Sequence, residues 1–275
     1  MSGYILCQGK RARIPYYIEN ISTNIYTMEE LCYYLNHNIY LLDETILNEG
    51  LCRWILDELG LRKLYDKLYR MLDEKVSAGT FILPIFKEIS YLSMEEFREL
   101  NGRVQQLEEQ PPLVRQKIKG DYLMENGKYV NAIRVYQRTL TESDSGKLGQ
   151  QFAGMIWYNM GCAYSRLFQM EEAADCFFKA LQLQNSEKCR KAYLIAACCQ
   201  GDQDSWTTAA EKIQASSQEV AEARRELEQI QDQELKSPGA VRLSQALENN
   251  GEELWTQVQG VLEELTAEYH KNTGY

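Results

Sequence analysis

Signatures of chemistry are scarce in this chain of 275 residues. There is no C-x-x-C pair, so a structural zinc site is not expected. Neither G-x-x-x-x-G-K-[ST] nor G-x-G-x-x-G occurs, so no nucleotide-binding loop is predicted. We therefore expect no metal ion and no cofactor.

Histidine is rare, with two residues in the whole chain. A Cys/His nucleophile pair could use only Cys32 and His37, which stand close together near the end of a predicted helix. Such proximity arises by chance, and no nucleophile motif surrounds these two residues. His270 lies near the end of the last predicted helix, where a cation suits the helix dipole. We predict no catalytic residue and expect that the chain is not an enzyme.

Long apolar runs are also missing. No run reaches the roughly 18 residues of a membrane-spanning helix. The first residues, MSGYILCQGKRAR, lack the apolar core and the cleavage site of a signal peptide. The chain is therefore expected to be cytoplasmic.

Positive charge is in deficit, because the formal net charge is −10. Binding of nucleic-acid phosphates needs a surface rich in Lys and Arg. An anionic membrane surface attracts the same basic residues. We therefore expect neither nucleic acid nor a membrane as the main partner.

Cysteine, in contrast, is present at eight positions that are spread along the chain. Cys162, Cys176, Cys198 and Cys199 fall at helix-packing positions within apolar stretches. We predict that the cysteines are free thiols, acting as small buried hydrophobic residues in a reducing compartment.

Residues 1–110 are predicted to form a mainly helical domain of no recognised family. Two β-prone runs, at residues 4–7 and 15–18, indicate a possible small hairpin around the polar segment 8–13. Tyrosines and leucines at helical spacing supply its expected core.

Local signals place several helix starts in this region. Thr27 with Glu30, and Ser93 with Glu96, are capping boxes that predict helices directly after them. Thr80 is predicted to cap a further helix. The two prolines at 111 and 112 are expected to end this domain and to start the next one.

Residues 157–181, WYNMGCAYSRLFQMEEAADCFFKAL, are the most informative stretch. Small residues stand where two helices must touch, and large residues stand where the helix pair fills its own core. The small ones are Gly161, Ala173 and Ala180, and the large ones are Trp157, Met160, Tyr164 and Phe177. This order resembles the pattern W-x2-L-G-x2-Y followed by A-x3-F-x2-A of the tetratricopeptide repeat family.

Two further copies flank this unit. Upstream, residues 113–140 place Gly120 where the first helix needs a small residue, although Thr139 replaces an expected alanine. Downstream, a degenerate unit places Ala196 at the same position and closes with a short helix at about 206–213. The resemblance to the family thus covers about residues 112–214.

Membership in this family would imply a helical solenoid that binds a protein or peptide partner. A single unit cannot bury its apolar face alone, so stacked neighbours are expected. In the family, the first helix of each unit lines a concave groove. Carried onto this sequence, the groove residues are Lys117, Asp121 and Met124, then Tyr158, Asn159 and Arg166, then Arg190, Tyr193 and Leu194.

Some family members hold a chaperone's C-terminal carboxylate with a clamp of Lys, Asn, Asn, Lys and Arg. Lys117 and Asn159 match this clamp, and Arg190 could replace its second Lys. Asp121 replaces an Asn and would repel a carboxylate, whereas Leu194 replaces the Arg and offers no donor. The mixture of apolar and basic groove residues instead suits a peptide with apolar anchors and some acidic character.

Residues 217–275 are predicted to be helices that cap the array. The last helix, at about 251–270, carries one apolar face that should be buried. This face contains Leu254, Trp255, Val258, Val261, Leu262, Leu265 and Tyr269. Such a helix usually covers the exposed end of a solenoid, but it could instead fill the groove.

The sequence therefore predicts an all-α protein with three parts, namely residues 1–110, the repeats at 111–216 and the capping helices at 217–275. The favoured function is a cytoplasmic interaction module, an adaptor or regulator that binds a protein or peptide. An enzyme with an unrecognised site in the N-terminal half is one alternative. A self-associating structural protein is the other.

Overall fold

The computed structural model describes residues 9–21, 23–142, 149–200, 203–249 and 253–273. Within these ranges the chain is mostly helical, and the predicted all-α fold class is confirmed. The helices are α1 (Met28–His37), α2 (Glu49–Asp57), α3 (Arg62–Asp73), α4 (Ala78–Glu88), α5 (Met94–Glu108), α6 (Pro112–Glu125), α7 (Tyr129–Thr141), α8 (Gly149–Arg166), α9 (Met170–Gln184), α10 (Glu187–Cys198), α11 (Gln203–Lys212), α12 (Ser217–Glu234), α13 (Pro238–Asn249) and α14 (Glu253–Thr273). Short 3₁₀ turns cover Glu19–Ile21, Ile39–Leu41 and Glu44–Ile46.

The chain divides into two compact units, Met1–Tyr122 and Leu123–Tyr275. This division falls inside α6. The domain boundaries proposed from the sequence, after residues 110 and 216, stay predictions.

A small antiparallel hairpin precedes α1 in the first unit. Strand β1 (Tyr16–Ile18) pairs with strand β2 (Thr23–Ile25), and the last residue of each strand is buried. The second predicted strand is confirmed, but within the described residues its partner lies downstream, not upstream as predicted. A short connection costs less loop-closure entropy than the longer one expected. The other predicted strand, residues 4–7, lies outside the described residues.

Side-chain caps fix the starts of α1 and α5. Thr27 Oγ1 accepts a hydrogen bond from the Glu30 N–H at 3.1 Å, and the Glu30 carboxylate accepts one from the Thr27 N–H at 3.2 Å. Ser93 and Glu96 make the same reciprocal pair, at 2.8 and 3.2 Å. Both predicted capping boxes are confirmed, and each satisfies two backbone donors that a helix start otherwise leaves unbonded.

Helix α4 begins earlier than predicted, so the assignment of Thr80 as its cap was wrong. Ser77 Oγ accepts from the Thr80 N–H at 3.2 Å and caps the helix. Pro84 lies buried inside α4, where it lacks the N–H of a helical hydrogen bond. A Cβ added to Gly79 would collide with Val104 of α5. Glycine at this position therefore permits the close contact between the two helices.

The core of the first unit joins the hairpin to α1–α5. Trp54 Nε1 donates to the Ile14 carbonyl at 2.8 Å, which ties α2 to the segment before β1. The fully buried side chains of this core include Leu31, Leu35, Leu51, Ile55, Leu68, Phe81, Ile82 and Ile85.

In the second unit, α8 and α9 pack closely around small residues. A Cβ on Gly161 would lie 2.7 Å from Cε1 of Phe177, closer than such atoms approach in proteins. Ala173 and Ala180 of α9 are fully buried. The close helix contact predicted at Gly161 and Ala173 is confirmed. Helix α9 ends at Asn185, whose φ of 43° is a left-handed conformation that asparagine tolerates.

Helices α10 and α11 form the next pair, and α12 packs against α10. Tyr193 of α10 and Trp206 of α11 are buried in one cluster with Ile213, which directly follows α11, and with Ala223 of α12. The guanidinium of Arg224, also on α12, lies 5.3 Å from the centroid of the Trp206 ring. Of the helices in the predicted C-terminal cap, α12 is thus the one that packs on α10.

Helices α13 and α14 pack on each other, and α14 also contacts α7. The apolar face predicted to be buried is largely exposed, so that expectation was wrong. Val258 and Val261 are half-buried. The exposed members are Trp255, Leu262, Leu265 and Tyr269. The side chain of Leu254 lies outside the described residues.

Candidate protein-binding surface

One face of α8 carries Tyr158, Cys162 and Arg166, which follow one another at i, i+4 and i+8. Residues at this spacing lie above one another on a helix. The Tyr158 ring packs at 5.3 Å, centroid to centroid, on Phe177 of α9. This contact holds the ring in place while Tyr158 remains half-buried.

Lys188, from the first turn of α10, joins this face. Its Nζ lies 4.3 Å from the centroid of the Tyr158 ring, a cation–π contact. No sequence pattern predicts Lys188 at this site, because its position near Tyr158 depends on how α10 packs on α9. We call Tyr158, Cys162, Arg166 and Lys188 the basic–aromatic patch.

The electrostatics of Cys162 show that both cations are close to it. Burial is the largest effect and raises the pKa of the Cys162 thiol, while the hydrogen bond with Tyr158 and the charges of Lys188 and Arg166 oppose that rise. Burial also raises the pKa of Tyr158. At neutral pH the patch therefore presents two cations beside a neutral phenol and a neutral thiol.

Neither cation of the patch is neutralised within the described part of the chain. Lys188 and Arg166 are exposed and form no ion pair with a described residue. The chain as a whole is acidic, with a formal net charge of −10. These two cations therefore form a locally basic surface on an acidic protein. Such a spot attracts a carboxylate-bearing segment.

Arg190, a predicted groove residue, is held inside the molecule. Its Nε donates to Glu219 Oε1 at 2.6 Å, and its Nη2 donates to the Ile213 carbonyl at 3.1 Å. The hydrogen bond from Arg190 is the main reason why the pKa of Glu219 is lowered to about 2. Arg190 thus joins α10 to α12 and offers little to a partner.

The other predicted groove residues differ in how far their side chains are exposed. Tyr193 and Leu194 are buried, at 6% and 1% exposure, so neither presents a surface in this conformation. Asn159 and Met124 are half-buried. In the first unit, Lys117 Nζ forms an ion pair with Asp121 at 2.5 Å. This pair engages the lysine that would otherwise be available to a chaperone carboxylate.

Cys32 and His37, the pair considered for catalysis, do not form a reactive centre. The Cys32 thiol is buried and points to the Ile85 carbonyl at 3.8 Å, and burial raises its pKa to about 12. The His37 ring stacks on Tyr33 at 4.0 Å, and its Nδ1 lies 2.9 Å from the Tyr33 carbonyl oxygen. The nearby Glu29 carboxylate raises the pKa of Cys32 further. The thiol therefore stays protonated, and a protonated thiol is a poor nucleophile.

The described cysteines are all free thiols, but their burial varies. Cys176 is buried, as predicted, whereas Cys162 and Cys198 are half-buried. Cys199 is exposed, so its assignment to the core was wrong. It follows the last residue of α10, where the backbone turns away from the packed face.

The described residues meet neither the requirements of a metal site nor those of a membrane-spanning helix. Across the described ranges, no three His, Cys, Asp or Glu side chains cluster in a way that suits a metal ion. Among the described helices, none has both the length and the apolar character needed to cross a bilayer.

Helices α8 and α9 pack as an antiparallel-type helix pair around small residues, which is the arrangement of one helical repeat unit. Residues 155–186 match the model of the family described as tetratricopeptide repeat. This match covers most of α8 and all of α9, and it confirms the resemblance found at Gly161, Ala173 and Phe177. Comparisons with curated proteins and with solved structures found no match. The flanking units rest on the sequence pattern alone.

Proposed function

We propose that this protein is a cytoplasmic adaptor or regulator that binds an acidic peptide segment of a partner protein. A tetratricopeptide repeat suggests protein–protein interaction as the general role. The observation that carries the finer proposal is the basic–aromatic patch, in which Lys188 and Arg166 flank Cys162 beside the Tyr158 ring. Aromatic and Arg side chains commonly anchor such interfaces.

The patch selects for a particular chemistry. Two exposed cations favour Asp, Glu or a terminal carboxylate, and the Tyr158 ring with the half-exposed Met155 favours an apolar side chain next to that acid. Of the predicted groove residues, Tyr158, Asn159 and Arg166 remain proposed contacts. Arg190, Tyr193 and Leu194 are proposed to act indirectly, by holding the helices that present the patch.

The test is the double variant Arg166→Glu with Lys188→Glu. The full chain and the variant are each screened against a phage-displayed peptide library, and selected peptides are measured by fluorescence anisotropy. We expect the parent to enrich acidic peptides with an apolar anchor, and the variant to bind them at least about tenfold more weakly.

Lys179→Glu is the matched control. Lys179 Nζ lies 4.3 Å from the centroid of the Trp157 ring, so it makes a cation–π contact of the same length, but it projects from α9. This control should bind the selected peptides as the parent does. Equal loss in both variants, or no loss in the double variant, would remove the patch from the proposal.

Absence of enzymatic activity is part of the same proposal. The buried, protonated Cys32 and the self-engaged His37 support it. Affinity capture with the parent and the double variant, followed by mass spectrometry, would then identify the partner as the protein that only the parent retains.

A further inference from the structure

Helix α14 carries an apolar stripe that stays exposed to solvent when α14 packs on α13 and α7. Trp255 is 73% exposed, Leu262 54%, Leu265 57% and Tyr269 57%. Trp255, Leu262 and Tyr269 are one heptad apart, and Leu265 stands three residues after Leu262. This a/d spacing places all four side chains along one line of a helix, as in a coiled-coil seam. We call these residues the α14 stripe.

We propose that the α14 stripe is the interface of a homodimer in which two copies of α14 pair antiparallel. This inference is independent of the peptide-binding function proposed above. It identifies the occupant of the stripe as a second copy of this chain.

Three of the four stripe residues, Trp255, Leu262 and Tyr269, are arranged symmetrically along the helix. Leu262 lies midway between Trp255 and Tyr269. When two copies run antiparallel about Leu262, Trp255 of each copy faces Tyr269 of the other, and the two Leu262 side chains meet on the axis. A two-fold interface requires this reciprocity, in which residue i contacts j and j contacts i.

The edge of the stripe favours the same pairing. Gln259 and Thr266, both exposed, border it one heptad apart. In the antiparallel register Gln259 of one copy lies level with Leu265 of the other and within one residue of the level of Thr266 on the same edge. No charges are therefore opposed along this edge, although the chain carries a net charge of −10. Glu263 lies farther around the helix. Like charges placed directly across an interface would oppose association.

The exposed area is sufficient for a weak specific dimer. Large aromatic side chains bury about 150–250 Å² each, so two of them with two leucines, all more than half exposed, offer on the order of 500 Å² per copy. The pair then buries about 1,000 Å², the lower limit for a specific interface. We therefore expect a dimer that dissociates in the micromolar range.

Sedimentation equilibrium of the full chain across the micromolar range tests this proposal. The parent should change from monomer to dimer as concentration rises. Leu262→Glu places two carboxylates on the axis and should shift the midpoint at least about tenfold upward. Ile230→Glu is the matched control, because Ile230 is an exposed apolar residue (46%) on α12 and lies off the stripe. Circular dichroism confirms that each variant is folded.

A parent that stays monomeric throughout would overturn the proposal, and so would equal effects of Leu262→Glu and Ile230→Glu. Disulfide cross-linking tests the register in a Cys199→Ser background, which removes an exposed thiol. Gln259→Cys mixed with Thr266→Cys should cross-link, whereas each alone should not. Cross-linking of either variant with itself would exclude the antiparallel register about Leu262.

Discussion

The helix pairs α8–α9 and α13–α14 use similar apolar residues and bury them very differently. In the first pair, Gly161, Ala173 and Ala180 let the backbones approach, so that Phe177 is 4% exposed. In the second pair, the Cβ of an alanine at Gly260 would meet no atom within 4 Å. The comparison teaches that small residues at fixed offsets from large ones predict which helix face is buried. Apolar periodicity alone predicts that a helix has an apolar face, but not that this face is buried.

Truncation gives the largest contrast between the two regions. Removing all residues after Ala215 takes away α12 and uncovers Trp206 and Ile213. Each large side chain exposed again should cost about 1.5–3 kcal/mol of unfolding free energy. Removing only the residues after Lys236 should cost much less, because the outer face of α14 is already exposed. Thermal melts at low concentration would contradict this prediction if both truncations lowered the melting temperature equally.

Matched glycine substitutions sharpen the comparison at single residues. Alanine in place of a helical glycine gains about 0.5–1 kcal/mol of stability when space is available. Gly260→Ala should show this gain. At Gly161 the added Cβ would lie 2.7 Å from the Phe177 ring. Gly161→Ala should therefore be destabilising, and Gly161→Leu should cost about 1–3 kcal/mol or more.

Urea unfolding of the three glycine variants measures these differences. Gly102→Ala in α5, where an added Cβ also meets no atom within 4 Å, is a second control in the first unit. A stabilising Gly161→Ala would show that the α8–α9 contact is looser than the 2.7 Å distance to Phe177 implies.

The smallest expected effect is a change in the pH dependence of the unfolding free energy. Glu219 has a pKa of about 2 in the folded protein, mainly because it accepts a hydrogen bond from Arg190, against an ordinary value of 4.5. A lowered folded-state pKa adds stability that is complete above the ordinary value and is lost as pH falls toward 2. Glu219→Gln should lower the unfolding free energy by about 1 kcal/mol at neutral pH, since the pair is partly exposed.

The pH dependence distinguishes this ion pair from an ordinary surface pair. The difference between parent and Glu219→Gln should shrink between pH 4.5 and pH 2. Glu226→Gln is the control, because Glu226 pairs with Lys191 and both side chains are at least 40% exposed. Its effect should stay within about 0.5 kcal/mol at neutral pH. Equal losses in the two variants would show that Glu219 has no special role.

Local features of this fold were predictable from the sequence, because their determinants lie within a few residues. The capping boxes at Thr27 and Ser93 and the α8–α9 contact at Gly161 belong to this group. Contacts between distant segments were not predictable. The crossing of Gly79 with Val104 depends on how α4 meets α5, and no local pattern encodes it.

The candidate site shows the same limit. Tyr158, Cys162 and Arg166 share a helix face that periodicity predicts. Lys188 was missed, because it reaches that face from the next helix pair. Arg190 was predicted to face a partner, but Glu219, from a helix outside the repeat pattern, binds it instead. The exposure of the α14 face depends on which distant segments pack against it, and a local sequence pattern does not record that.

Glu219 also couples the local unfolding of α12 to that of α10. Its carboxylate accepts from the Ser216 N–H at 2.8 Å at the start of α12 while it binds Arg190 of α10. Fraying of the first turn of α12 therefore breaks the link to α10, and release of Arg190 weakens the cap of α12. The amide protons of α10 and α12 should consequently exchange with deuterium as one cooperative unit, or foldon.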